Sequence, residues 1–268
     1  MKNLSFYTVL FCLVFGSCAN EYTKVLKSSD NALKFEWAKK YYEEKKFSRA
    51  AALLEDIAPY YKGTELSNEV LYLTAKSYEG QKDFYTAEVY FSSYIKTFPR
   101  GKYAEECRFM IGYCFYKASP EARLDQSTTQ NAINQLQEFV EIYPESKRTS
   151  EAYALIEELN DKLAYKSFLN ARLYYNMGNH MGNNYRSSII TAENALKKYP
   201  DTKYREDLYI LILRSKYQIA NQSVETKKTE RFSNTIDEYF NYMNEYPNGK
   251  YVKEAQKIYK TAQSYVKN

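Results

Sequence analysis

A six-residue motif recurs four times and cuts the chain into helical units. Phe98-Pro99-Arg100-Gly101-Lys102-Tyr103 returns as Tyr143-Pro144-Glu145-Ser146-Lys147-Arg148, as Tyr199-Pro200-Asp201-Thr202-Lys203-Tyr204 and as Tyr246-Pro247-Asn248-Gly249-Lys250-Tyr251. Four of the six prolines sit in this motif. Proline disfavours helix in the residue before it, and a small polar residue two positions later can cap the next helix, so each copy reads as a helix stop followed by a helix start. Apolar residues recur at helical spacing upstream, as in Ala87-Glu88-Val89-Tyr90-Phe91-Ser92-Ser93-Tyr94-Ile95. Each unit is expected to be a helical hairpin. Only 8 glycines are spread over 268 residues, too little turn chemistry for a chain of many short strands. The fold class expected is all-α.

Within the units, small and aromatic residues resemble the tetratricopeptide pattern. The second unit shows it through Ala75, Tyr78, Phe84, Ala87, Phe91, Tyr94 and Pro99, and the first through Ala38, Tyr41, Phe47, Ala50, Leu54 and Ile57. The third uses Gly112, Phe115, Ala132, Leu136, Phe139 and Pro144, with extra residues from Lys117 to Thr128. The fourth uses Ala171, Tyr174, Tyr185, Ala192, Ala195 and Pro200, and the fifth Tyr217, Phe232, Tyr239, Tyr242 and Pro247. Small residues let the two helices of a hairpin approach closely. The resemblance implies a superhelical solenoid of about five hairpins, with a capping helix from about Lys250 to Val266. The proline spacings of 45, 56 and 47 residues exceed the roughly 34 usual for such repeats. The excess is assigned to insertions and to an additional helix near Ser150 to Lys166. This divides the chain into an N-terminal arm of three repeats over residues 31–148 and, over 149–268, the connecting helix with a C-terminal arm of two repeats and the cap.

Residues 1–17 read as a signal peptide: Lys2, an apolar run from Leu4 to Phe15, then Gly16 and Ser17 before Cys18. The run is short of the roughly 20 residues a membrane-spanning helix needs. Phe15-Gly16-Ser17-Cys18 resembles a bacterial lipobox, although Phe15 replaces the usual aliphatic residue. The resemblance implies a lipidated Cys18, carrying palmitate-like acyl chains, followed by a linker over residues 18–30. A conventional signal peptide that happens to contain a cysteine is the alternative. No acidic cluster follows Cys18, and the domain is expected to face the periplasm. Cys107 and Cys114 lie seven residues apart on one helix, separated by about 10 Å of rise, beyond disulfide reach; they are expected in the core.

With one histidine and 4 cysteines there is almost no material for a metal site, a Ser-His-Asp triad or a Cys-His dyad, and no catalytic residue, cofactor or metal is assigned. His180 lies in a Gly- and Asn-rich loop and reads as solvated. Adjacent acidic pairs such as Glu43-Glu44, Glu105-Glu106 and Glu157-Glu158 read as solvated faces, because neighbours on a helix point apart. Net charge is +5 with both signs interspersed, which is not a nucleic-acid footprint. Among 30 tyrosines, Tyr41, Tyr78, Tyr174 and Tyr217 fall on packing positions. Phe35, Lys39, Tyr42, Tyr72, Lys76, Phe109, Tyr113 and Tyr116 fall on positions that line the inner face of such a repeat array. They would suit an extended peptide with aromatic side chains and a terminal carboxylate. The other reading is that they pack on the segment Ala19 to Ser29 or on neighbouring helices.

The lipobox-like signal, the five repeats and the proline motif together resemble the BamD family of outer-membrane β-barrel assembly lipoproteins. The most telling stretches are Leu163-Ala164-Tyr165-Lys166 through Ala171-Arg172-Leu173-Tyr174-Tyr175, Ile189-Ile190-Thr191-Ala192-Glu193, and Tyr199-Pro200-Asp201-Thr202. The resemblance implies a non-enzymatic scaffold on the periplasmic face of the outer membrane, working with accessory lipoproteins. It implies that C-terminal repeats dock a BamA-like, barrel-forming subunit through Tyr185, Arg186 and Glu193 with Asp201 and Thr202, and that N-terminal repeats receive unfolded outer-membrane proteins. Thr191 stands where the family commonly has a basic residue. A periplasmic tetratricopeptide coordinator of cell-wall synthesis or division, resembling CpoB, is the alternative.

Overall fold

The structure, a computed structural model, describes residues 21–266. The signal peptide and Cys18 lie outside the described residues. Eleven helices run from Asn31 to Val266: α1 Asn31–Glu43, α2 Phe47–Tyr61, α3 Leu66–Gly80, α4 Phe84–Thr97, α5 Ala104–Ala118, α6 Ser127–Ile142, α7 Thr149–Met177, α8 Asn184–Lys198, α9 Arg205–Asn221, α10 Glu225–Glu245 and α11 Val252–Val266. No strand occurs among the described residues, and the fold is all-α, of the tetratricopeptide type. Two compact units form: the described residues up to Ser119 with Ser127–Ile156, and Pro120–Gln126 with the residues from Glu157 onward.

Residues 21–26 add a short helical segment ahead of α1. Its Val25 is buried, and its Tyr22 meets Tyr41 edge-on at 5.8 Å beneath the Arg49 guanidinium at 5.1 Å. Helix starts are fixed by side chains that accept the first free backbone N–H groups. Asp30 accepts from Leu33, Asp83 from Thr86 and Asn183 from Arg186. The hairpin turns after α1 and α3 place Lys45 and Lys82 in the left-handed region, at φ 58° and 62°.

The repeat register appears directly in burial. Ala38, Ala50, Ala75 and Ala87 have no exposed surface, and neither have Leu54, Phe91, Leu136 and Phe139. Gly112 has the same function in the third hairpin: a Cβ there would lie 2.8 Å from the Leu136 side chain. Cys107 and Cys114 are free and buried on α5, as their spacing predicts.

The four proline turns share one hydrogen-bond relay, supplied from two different places. In the second repeat Tyr94, five residues before Pro99, accepts from the Tyr103 N–H at 3.0 Å and donates to Asn68. In the fifth, Tyr242 accepts from the Tyr251 N–H at 3.2 Å and donates to Glu206 Oε1 at 2.7 Å. The third and fourth repeats have Phe139 and Ala195 at that helix position, and the hydroxyl comes from the turn instead. Ser146 accepts from the Arg148 N–H at 3.1 Å and donates to Glu105 at 2.5 Å; Thr202 accepts from Tyr204 at 3.3 Å and donates to Asp161 at 2.7 Å. Where tyrosine supplies the hydroxyl, the turn residue is Gly101 or Gly249, whose Cβ would collide with it, coming to 2.5 Å and 2.8 Å of the phenol oxygen.

Two sequence expectations need correction. The connecting helix and the first helix of the fourth hairpin are one 29-residue helix, α7. Tyr174 is 37% exposed instead of packed. Its neighbour Tyr175, four residues after the buried Ala171, faces the hairpin core and meets Tyr185 edge-on at 5.6 Å. Spacings of three and four residues share a helix face, so a one-residue choice decides which ring enters.

Candidate functional site

In the first unit, α1, α3 and α5 present the row of residues expected to face a peptide. Phe35 is buried 6.0 Å from Tyr61, and Phe109 is buried against Phe139 at 5.4 Å with the Arg148 guanidinium 4.4 Å above its ring. Both rings contribute to the core. Tyr42, Tyr72, Tyr113 and Tyr116 stay partly exposed. Tyr42 meets the Phe47 edge at 5.6 Å, and Tyr113 and Tyr116 lie 6.1 Å apart beneath the ammonium of Lys117. Tyr72 stacks on Tyr103 at 4.0 Å and donates to Glu106 at 2.7 Å. Burial, reinforced by that bond, pushes the Tyr72 phenol well above its usual range.

Lys76 reaches Glu79 at 3.0 Å and Glu106 at 3.7 Å. Burial opposes its charge, but the two carboxylates outweigh burial and hold its pKa above the ordinary lysine value. Lys39 pairs with Glu36 at 2.7 Å and lies 4.8 Å over Phe35. The face is thus a row of half-buried phenols around paired charges. Glu106 was expected on a solvated face, and instead it ties two repeats together. Tyr72 and Glu106 are 34 residues apart, one ordinary repeat length, and that spacing was the available signal.

In the second unit a groove of about 720 Å³ opens between α8, α9 and α10. Arg186, Ile189, Ile190 and Glu193 line it from α8, Lys216 from α9 and Asp237 from α10. Ile190 is 49% exposed. Lys216 is held by the buried Glu238, whereas Arg186 and Glu193 are exposed and make no ion pair among the described residues. The groove therefore offers an apolar strip between two charges of opposite sign. Of the other residues expected at a docking face, Tyr185 packs on Tyr175 and Thr202 is buried on Asp161. Asp201 is exposed in a separate hollow with Lys203 and Arg205. Ile190 lies within the stretch Tyr185 to Glu193 expected at a docking face, whereas Lys216 and Asp237 were not legible as groove residues, because their meeting depends on how three helices stack. Among the described residues no three His, Cys, Asp or Glu side chains gather as a metal site, and no helix is long and apolar enough to cross a membrane. His180 lies exposed in the turn between α7 and α8.

These features define a tetratricopeptide-type helical-hairpin protein with a phenol-lined face in one unit and a charged, partly apolar groove in the other. The chain belongs to the YfiO family of outer membrane lipoproteins, whose family model matches residues 28–212. It is 29% identical over 132 residues to the putative outer membrane protein assembly factor BamD of Aquifex aeolicus, covering 49% of this chain and 42% of that protein. It is 23% identical over 113 residues to the outer membrane protein assembly factor BamD of Caulobacter vibrioides, covering 42% and 37%. The matches thus span about two fifths of the length of these curated relatives. Among solved structures, the TPR2AB domain of yeast Sti1 in its pHSP90 complex aligns with TM-score 0.41 and 13% identity, over 87% of this chain and 98% of that one.

Proposed function

We propose that the chain is a lipid-anchored scaffold of outer-membrane protein assembly that performs no catalysis, facing the periplasm with Cys18 as the lipidated residue. Membership of the outer membrane lipoprotein family carries this reading, and the assembly-factor relatives support it. The α8–α10 groove docks a periplasmic domain of the barrel-forming subunit. Ile190 supplies apolar contact there, and Arg186 and Glu193 supply orientation, because exposed charges set specificity and encounter more than affinity. The phenol row Tyr42, Tyr72, Tyr113 and Tyr116, with Lys39, receives aromatic side chains of unfolded outer-membrane proteins. Lys76 is already engaged by two carboxylates and acts by holding that face in shape.

Affinity purification of the tagged, crosslinked protein from outer membranes tests the docking assignment. Recovery of a large barrel protein crosslinked to α8–α10 is the expected result, and Glu193→Lys should lower it at least roughly tenfold, a change of about 1.4 kcal/mol, with helicity unchanged. Equal recovery with the variant removes Glu193 from the interface. Recovery of cell-wall synthases or division proteins in place of the barrel protein overturns the assembly reading.

A further inference from the structure

The segment 21–26 determines which end of the first unit can face the membrane. Tyr22 is held against Tyr41 and Arg49, and Val25 against the core, so the segment runs back along α1 and its beginning lies at the α1–α2 turn. From Cys18 to Glu21 is three residues, which span at most roughly 11 Å even when fully extended. An acyl chain on Cys18 therefore brings the α1–α2 turn to the lipid surface, within about one to two Debye lengths of the headgroups.

That edge is continuous and carries charges of both signs, the exposed Lys40, Lys45, Lys46 and Lys82 slightly outnumbering the exposed Glu43, Glu44 and Asp83. Lys40, Lys45 and Lys46 are exposed at the end of α1, with Lys46 paired to Glu44 and Lys40 lying 4.1 Å over the only tryptophan, Trp37. The turn of the second hairpin is joined to it by Ser48 donating to Gln81 at 2.7 Å, and adds the exposed Lys82. Lys40, Lys45 and Lys82 make no ion pair among the described residues. The opposite edge of the unit also carries exposed cations, Lys62, Arg100 and Lys102. Charge alone does not choose between the edges, and the short tether does.

We propose that the turns 44–46 and 81–83, with Lys40, Lys45 and Lys82 as the contacting cations, form a docking surface for anionic phospholipid headgroups. The surface orients the first unit on the membrane that holds its acyl chains. The inference rests on the lipidation of Cys18 proposed above. A single acyl chain binds a bilayer only marginally, and a basic patch is the usual second element of a stable anchor; with several chains the patch instead fixes orientation.

The test uses the full chain purified from membranes and reconstituted into phosphatidylethanolamine vesicles with and without phosphatidylglycerol, part of which carries a photoreactive headgroup. Intact mass establishes whether Cys18 bears acyl chains. The expected result is crosslinking to residues 40–49 and Lys82 that weakens in salt. It should fall about fivefold for each lysine charge removed in Lys40→Gln and Lys45→Asn, and stay unchanged in Lys62→Gln. Asparagine is used at position 45 because it tolerates the left-handed backbone there. Acylated protein whose crosslinks fall on Lys62, Arg100 and Lys102, or scatter evenly, overturns the docking edge and leaves the lipoprotein reading standing. Protein that carries no acyl chain overturns both.

Discussion

In the fifth repeat, Tyr242→Phe and Gly249→Ser should each destabilise the protein, and the double variant should recover most of the loss. Tyr242→Phe leaves the Tyr251 N–H and Glu206 without the shared hydroxyl, at a cost of about 1–2 kcal/mol. Gly249→Ser places a Cβ against Glu206 and within 2.8 Å of the Tyr242 oxygen, at a cost of about 1–3 kcal/mol. Together they recreate the Phe139 and Ser146 arrangement of the third repeat, where the turn residue supplies the hydroxyl. Equilibrium unfolding of the four proteins gives the coupling, expected to be favourable by about 2–3 kcal/mol. Simple additivity would mean that the two hydroxyl sources are not equivalent. The exchange should also work in reverse: Phe139→Tyr crowds Ser146 when made alone and is relieved by Ser146→Gly.

Phe139→Ala should have the larger effect on stability, about 3–5 kcal/mol, because it empties a fully buried site in the third hairpin. The ring also gives its edge-on contact with Phe109 and its contact with Tyr143 at 5.7 Å. Cys107 and Cys114 report the loss from within the same hairpin. Their modification by a thiol reagent requires opening, so each 1.4 kcal/mol of local destabilisation raises the labelling rate roughly tenfold. Labelling at these two residues, located by peptide mapping, should rise at least roughly a hundredfold. An unchanged rate would show that Phe139 does not hold the third hairpin closed.

The hairpin register was legible because small residues at Ala38, Ala75 and Ala87 are required wherever two helices approach closely, and few other residues fit. The fused helix α7 was legible as well, since residues 149–177 contain neither glycine nor proline. An expectation of regular repeat length split it. Tyr174 and Tyr175 could not be separated by periodicity, because either satisfies a helical stripe. The phenol-lined face was partly readable: Tyr42, Tyr72 and Lys76 come together, whereas Phe35 and Phe109 turn into the core as their apolar rings favour. The relay in the proline turns was visible in sequence as a pairing of Tyr with Gly and of Phe or Ala with Ser or Thr. It carried no meaning until the hydroxyls were seen to reach one shared backbone N–H.

The burial of Cys107 and Cys114 has a redox consequence. Disulfide exchange begins with a thiolate, and removal from water raises both thiols above their usual range, Cys114 to about 12. At neutral pH both thiols are then held in the protonated, unreactive form while folded. An oxidising environment can therefore act on these sulfurs only during the intervals when the third hairpin is open. Packing alone keeps the two unpaired thiols from exchange while the third hairpin is closed.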